Sequence, residues 1–141
     1  MPAPKTIDAE GGCLCGAVRY RVCGPVEESG YCHCRACQRQ SGSPVMAWFA
    51  LARDGFAYVK GQPKTYRASD HAGREFCSDC GTYLVFREDD EKQTLGVNTA
   101  TLDDPMLCPP SFHIYCESRI GWFDTKDDFP RHERGAAAKQ T

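Results

Sequence analysis

Apolar and polar positions alternate along this chain over short stretches only. Residues 17–22, AVRYRV, set Val18, Tyr20 and Val22 against Ala17, Arg19 and Arg21, the period of a half-buried strand. Gly24-Pro25 is expected to end it. The run VMAWFAL at 45–51 is apolar throughout and too short for a lone helix, so it reads as a buried strand. Asp54-Gly55 signals a turn, with residues 56–59 as the returning strand. A further short strand starts at Lys64, and composition around 71–73 is turn-like. In REFCSDCGTYLVFR a strand flanks each side of a tight turn at 77–81, where Gly81 is free to take a positive φ. Residues 94–97 read as a strand, 101–105 as a turn, and FHIYCESRIGWF from Phe112 alternates at first. No long helix is expected, and many short strands with frequent turns predict a mainly β fold. Residues 1–10 are expected to be flexible, 11–130 to form a single domain and 131–141 a disordered tail. Trp48, Phe49, Phe86 and Trp122 are assigned to the core.

Composition narrows the function classes. The chain has 141 residues, one domain's worth, and a net charge of −2 from 17 basic and 19 acidic residues. That balance argues against a nucleic-acid partner, which usually meets a basic excess. No apolar run approaches the ~20 residues of a membrane span. The first ten residues lack the apolar core of a secretory signal, so a cytoplasmic location is expected. Without export, ten cysteines point to metal ligation ahead of disulfides.

The cysteines are grouped. Residues 31–42, YCHCRACQRQSG, carry Cys32, Cys34 and Cys37. In extended backbone Cys32 and Cys34 point one way and His33 the other. A helical turn starting at Cys34 brings Cys37 onto the same face, and Gly42 suits its left-handed end. Cys13 and Cys15 form a second Cys-x-Cys, and Cys77 and Cys80 a knuckle. A closed structural zinc takes four thiolates and a reactive one keeps three. Ligand counting therefore pairs Cys13 and Cys15 with Cys77 and Cys80, leaving Cys32, Cys34 and Cys37 as a site with one open position. The competing partition joins one knuckle cysteine to the triplet and strands three others. A purely structural triplet would recruit His113 or Cys116 as fourth ligand.

The remaining candidates are weaker. Cys23, Cys108 and Cys116 stand alone and read as small buried apolar residues. His33 faces away from the triplet, which favours a hydrogen bond to backbone over ligation. His113 is a possible general base by chemistry alone, with Ser118 and Arg119 uncommitted; His71 and His132 say nothing. Arg35, Arg39, Lys64, Arg67, Arg87 and Arg119 suit solvated surface and together could meet an anionic ligand.

Five segments in order, GGCLCGAVRY, CHCRACQRQSGSP, FCSDCGTYL, VNTATLDDP and HIYCESRIGWF, resemble the glutathione-dependent formaldehyde-activating enzyme family, which includes centromere protein V. The resemblance runs from about residue 11 to 129, and all seven motif cysteines match. It implies a β-tent fold of several small antiparallel sheets organised around zinc. It also implies a structural zinc on Cys13, Cys15, Cys77 and Cys80, and a second zinc on Cys32, Cys34 and Cys37, which are the candidate catalytic residues as ligands of that metal. The implied activity is that of a carbon–sulfur lyase forming or cleaving S-(hydroxymethyl)glutathione, with up to two zinc ions per chain and glutathione as co-substrate.

On this reading the triplet zinc presents a small-molecule thiol as thiolate to a small aldehyde. Three thiolates on Zn²⁺ leave a net −1, which favours thiol delivery over carbonyl polarisation. The alternative is a non-catalytic zinc-dependent module that binds glutathione or a protein. A third option is a redox sensor in which Cys34 and Cys37 form a disulfide and eject the metal.

Overall fold

The computed structural model describes residues 5–89 and 93–135. Nine strands occur in it: β1 Thr6–Gly12, β2 Arg19–Cys32, β3 Met46–Ala52, β4 Phe56–Lys60, β5 Lys64–Arg67, β6 Ala72–Phe76, β7 Tyr83–Glu88, β8 Thr94–Asn98 and β9 His113–Ile114. One α-helix, α1 Arg35–Ser41, follows β2, and short 3₁₀ turns complete the regular structure. The fold is mainly β, as the patterning requires. All strand pairings are antiparallel except β2 with β9.

The long strand β2 belongs to two sheets. Its first half pairs with β1 on one side and β4 on the other. Its second half pairs with β3 and β9, and the sheet continues from β3 through β8, β7 and β6 to β5. Gly24-Pro25 therefore does not end the strand. It lies where β2 passes from one sheet to the next, with Gly24 at φ 143 and a register shift just beyond, between Val26 and Glu28. Such a shift bends a strand and increases its twist. The strand after Asp54-Gly55 likewise turns back onto β2 and not onto β3.

Alternation assigns each strand two faces. In β3, Phe49 and Leu51 join the core, as do Leu95 and Val97 of β8. They pack with Ile7, Tyr20, Val22 and Val26 from the β1–β2–β4 side. Met46, Trp48 and Ala50 of β3 instead line a cavity, with Thr94, Gly96 and Asn98 of β8. Trp48 and Phe86 are thus cavity walls where a core role was expected, and Trp122 is 77% exposed. The apolar run of β3 is two-faced because both its faces are covered.

Both ends of the chain depart from expectation. Residues 6–10 of the segment expected to be flexible are paired in β1, with Ile7 buried; residues 1–4 lie outside the described residues. Of the expected tail, 131–134 is held by backbone hydrogen bonds, His132 N to His113 O at 2.9 Å and Tyr115 N to Arg134 O at 2.8 Å. Residues 136–141 lie outside the described residues.

Gly11 sits where β1 meets the Thr101 carbonyl and the Tyr20 hydroxyl, and a Cβ there would strike both. Tyr20 Oη is itself bonded to Thr101 Oγ1 at 2.8 Å and cannot yield without losing that bond. Gly11→Ala should cost about 1–3 kcal/mol of stability by overpacking. Gly121→Ala, with no atom within 4 Å of the added carbon, should change little. Denaturant midpoints measure both, and equal midpoints would refute this packing account.

Candidate metal centre

Two sulfur clusters form, and their membership follows the four-plus-three division. Cys13, Cys15, Cys77 and Cys80 place their Sγ atoms within 4.8 Å of one another, and Cys32, Cys34 and Cys37 do the same. Among the described residues no further cysteine, histidine or carboxylate joins the triplet. Neither His113 nor Cys116 is its fourth ligand. Sγ–Sγ separations are 3.7 Å for Cys13–Cys15, 3.8 Å for Cys15–Cys77 and 3.3 Å for Cys32–Cys37. A disulfide needs about 2.05 Å. Tetrahedral zinc with sulfurs at ~2.3 Å sets an S–S edge of about 3.8 Å. Donor type and spacing together fit a zinc-sized thiophilic cation.

The four-sulfur cluster is built from two similar tight turns. In the first, Cys13 N donates to Val18 O at 3.0 Å, Val18 N donates to Cys13 Sγ at 3.3 Å, and Gly16 turns the chain at φ 81. In the second, Gly81 N donates to Cys77 O at 2.8 Å with φ 80. Thr82 links the turns: its Oγ1 accepts from Leu14 N at 3.0 Å and lies 3.3 Å from Cys80 Sγ. That hydroxyl, with the Thr82 and Cys15 backbone amides, pushes the Cys80 thiol down to about 5. The cluster therefore fastens the β1–β2 connection to the β6–β7 turn.

The triplet is set by local rules. Cys32 ends β2, opposite Met46 of β3 and Ile114 of β9. Cys34 is the N-cap of α1, its Sγ accepting from Cys37 N at 3.3 Å, and Gly42 closes the helix at φ 69. Buried Gln38 ties α1 down by donating to His33 O at 2.8 Å and Ser118 O at 3.2 Å. Hydrogen bonds from Cys32 and then Cys37 hold the Cys34 thiol far down, whereas the same sharing pushes Cys32 far up. Three thiols here lose one proton readily and the others only with a cation to offset the charge.

His33 does face away from the sulfurs, but its partner is a side chain. Its Nε2 lies 2.8 Å from Nδ1 of His113, whose Nε2 lies 2.9 Å from Asp127 Oδ1. The carboxylate makes His113 Nε2 the donor, so His33 Nε2–H donates to His113 Nδ1. Burial lowers the His33 pKa, keeping the imidazole neutral. Both rings are fully buried and stacked, and Tyr31 also stacks on His113. His113 does not line the cavity and braces the triplet loop from behind.

The cavity beside the triplet has a volume of about 520 Å³. Cys32, Cys34 and Cys37 line it with Trp48, Phe86, Tyr83 and Arg74. Arg74 is 8% exposed, donates from Nη1 to Tyr83 Oη at 3.0 Å, and stands over the Tyr83 and Phe86 rings at 5.3 and 5.1 Å. A register shift opposite Phe76 in β7 lets Tyr83 and Phe86 share this face, while Leu84 and Val85 both enter the core. Arg74, Tyr83 and Thr82 went unrecognised in the sequence. The available signal was Arg74-Glu75, opposite charges adjacent on a covered strand, which must find separate environments on its two faces. Glu75 indeed turns the other way, to Arg87 Nε at 2.6 Å and Tyr58 Oη at 2.6 Å. Arg67 pairs with Asp89, Arg119 donates to Phe123 O at 2.6 Å, and neither these nor Arg35, Arg39, Lys64, Arg87 or Ser118 line the cavity.

Comparison with known proteins agrees with this construction. The family model described as glutathione-dependent formaldehyde-activating enzyme matches residues 8–118. An uncharacterized lyase of Schizosaccharomyces pombe is 32% identical over 89 residues, 63% of this chain and 64% of the yeast protein. A Halomonas elongata protein, provisionally named a glutathione-dependent formaldehyde-activating enzyme, is 28% identical over 127 residues, 82% of this chain and 79% of its own. A crystal structure of a Rhodobacter sphaeroides protein superposes with a TM-score of 0.56 at 25% identity, over 67% of this chain and 87% of that one. Among the described residues no helix is long and apolar enough to cross a membrane.

Two measurements probe the construction. Thr125, then His113 and the Phe129 amide, hold the Asp127 carboxyl well below the usual range. Its stabilisation is therefore complete above the unfolded value of 3.8 and is lost as pH falls through the folded one. Asp127→Asn should lower the thermal midpoint at neutral pH, with the gap from wild type closing below about pH 4; a pH-independent gap would contradict this. Cys80→Ser should lower the midpoint far more than Cys37→Ser, because Cys15 and Cys77 are 62 residues apart whereas the triplet spans 5. Equal losses would make both clusters structural. The chain, matched over residues 8–118, belongs to the glutathione-dependent formaldehyde-activating enzyme family.

Proposed function

We propose that both clusters bind zinc in a β-tent arrangement, and that the protein is a carbon–sulfur lyase forming or cleaving S-(hydroxymethyl)glutathione. The observation that carries this is the difference between the clusters: four sulfurs close one, while three sulfurs of the other line a cavity. In the forward reaction a bond forms between thiol sulfur and aldehyde carbon, and the thiol proton ends on the aldehyde oxygen. Zinc, when bound by Cys32, Cys34 and Cys37, supplies the positive charge that lets a thiol ionise near neutrality. Trp48 and Phe86 wall the cavity with apolar surface and limit water. Burial pushes the Tyr83 phenol up, so it stays protonated; its oxygen accepts from Arg74 and its own O–H can donate to the aldehyde oxygen. His113 is not the base: it is buried behind the triplet, with both ring nitrogens engaged.

Metal analysis should find up to two zinc ions per chain, the triplet ion leaving first under mild chelation. Protein purified without chelator and holding only trace zinc would overturn the assignment. Loss of free formaldehyde in the presence of glutathione, above the uncatalysed rate, tests the activity. Tyr83→Phe should lower kcat about a hundredfold while preserving fold and metal content. Metal-dependent binding of glutathione without turnover would leave a binding module in place of an enzyme.

A further inference from the structure

Arg74 is not consumed by the reading above. It is a buried cation facing a cavity, and among the described residues no carboxylate pairs with it. Its neighbour in sequence, Glu75, is committed to Arg87 and Tyr58 on the other side of the sheet. Of the five N–H groups of a guanidinium, one is bonded among the described residues, to Tyr83 Oη at 3.0 Å. The rings of Tyr83 and Phe86 hold the charge in place. Aromatic contacts of this kind occupy the face of a guanidinium, whereas carboxylates are recognised along its edge by paired N–H donors. The Arg74 charge already acts on the Cys34 and Cys37 sulfurs, and Glu28 and Glu88 also line the cavity. Neither carboxylate reaches it as an ion pair, so a ligand carboxylate supplies the directly bonded partner that the guanidinium edge is shaped for.

The cavity is also too large for the reacting atoms alone. About 520 Å³ is space for a thiol with a substantial body, while formaldehyde has two heavy atoms. We propose that Arg74 is a specificity residue that takes a carboxylate of the thiol substrate, so that the site selects carboxylate-bearing thiols such as glutathione over neutral ones. This rests on the proposal that the thiol meets the triplet. Tyr83 orients the guanidinium from one end, which leaves the remaining donors for the ligand. The residue acts on binding and discrimination, not on proton transfer.

The test compares glutathione with its diethyl ester, which keeps the thiol and lacks both carboxylates. Calorimetric Kd values are measured on zinc-replete wild type, Arg74→Met and Arg74→Lys, with metal content and thermal midpoint recorded for each. Wild type should prefer glutathione over the ester by about tenfold to a hundredfold, the range of a charge-assisted pair. Arg74→Met should bind both ligands alike, at the ester's affinity, and Arg74→Lys should recover part of the preference. If wild type binds both equally and in a metal-dependent way, the thiol reading stands and the role of Arg74 falls. If Arg74→Met weakens both ligands equally, or sheds zinc, the guanidinium serves the thiolate charge and the proposal is overturned. Binding of neither ligand to zinc-replete wild type would overturn both readings.

Discussion

A single strand has to serve two sheets, and the site depends on that constraint. β2 runs 14 residues from Arg19 to Cys32, its first half inside one sheet and its second inside the other. Backbone donors and acceptors along such a strand must be satisfied on both edges. That fixes where β1, β3, β4 and β9 lie. The strand delivers Cys32 to its own end in the second sheet, between Met46 of β3 and Ile114 of the edge strand β9. The same strand begins beyond the Cys13–Cys15 turn, so both sulfur clusters hang from one rod.

Charge explains why the two clusters differ in what they can do. Four thiolates around a divalent cation complete a tetrahedron and leave no position for a ligand. A divalent cation held by only three thiolates would carry a net −1 and keep one position open, in a cavity partly walled by Trp48 and Phe86. The same cavity carries the buried cation Arg74, whose charge acts on Cys34 and Cys37. The cavity thus brings thiophilic groups and a cation together, with Glu28 and Glu88 also in its lining.

What the sequence disclosed, and what it withheld, divides along the range of the interactions involved. The turn from Cys34 to Gly42 was legible because a cap, a helical spacing and a left-handed glycine act within ten residues. Grouping of the seven cysteines was legible from ligand counting. Gly24-Pro25 misled, because a local break signal also serves where a strand changes sheets. The partner of β4 was misread because hairpin return is only the default. Trp48 was misassigned since an apolar side chain looks the same facing a core or a cavity. Arg74 was invisible because its meaning comes from β7 and a bulge there. The segment 131–134 looked unstructured because its order comes from backbone pairing to His113 and Tyr115, which leaves no mark on composition.

The brace behind the triplet has a consequence for the order in which the molecule is made. The three sulfurs are together in the chain once residue 37 is synthesised. The parallel pairing of Tyr31 and Cys32 with β9, the His33–His113–Asp127 relay and the backbone bond from His132 to His113 all wait for residues 113–132. During translation at about 5–20 residues per second, several seconds separate the two events. Through that interval the nascent chain displays a thiophilic loop without its rear wall. The wall behind the three sulfurs is therefore completed only by the C-terminal segment, long after the cysteines themselves are joined in the chain.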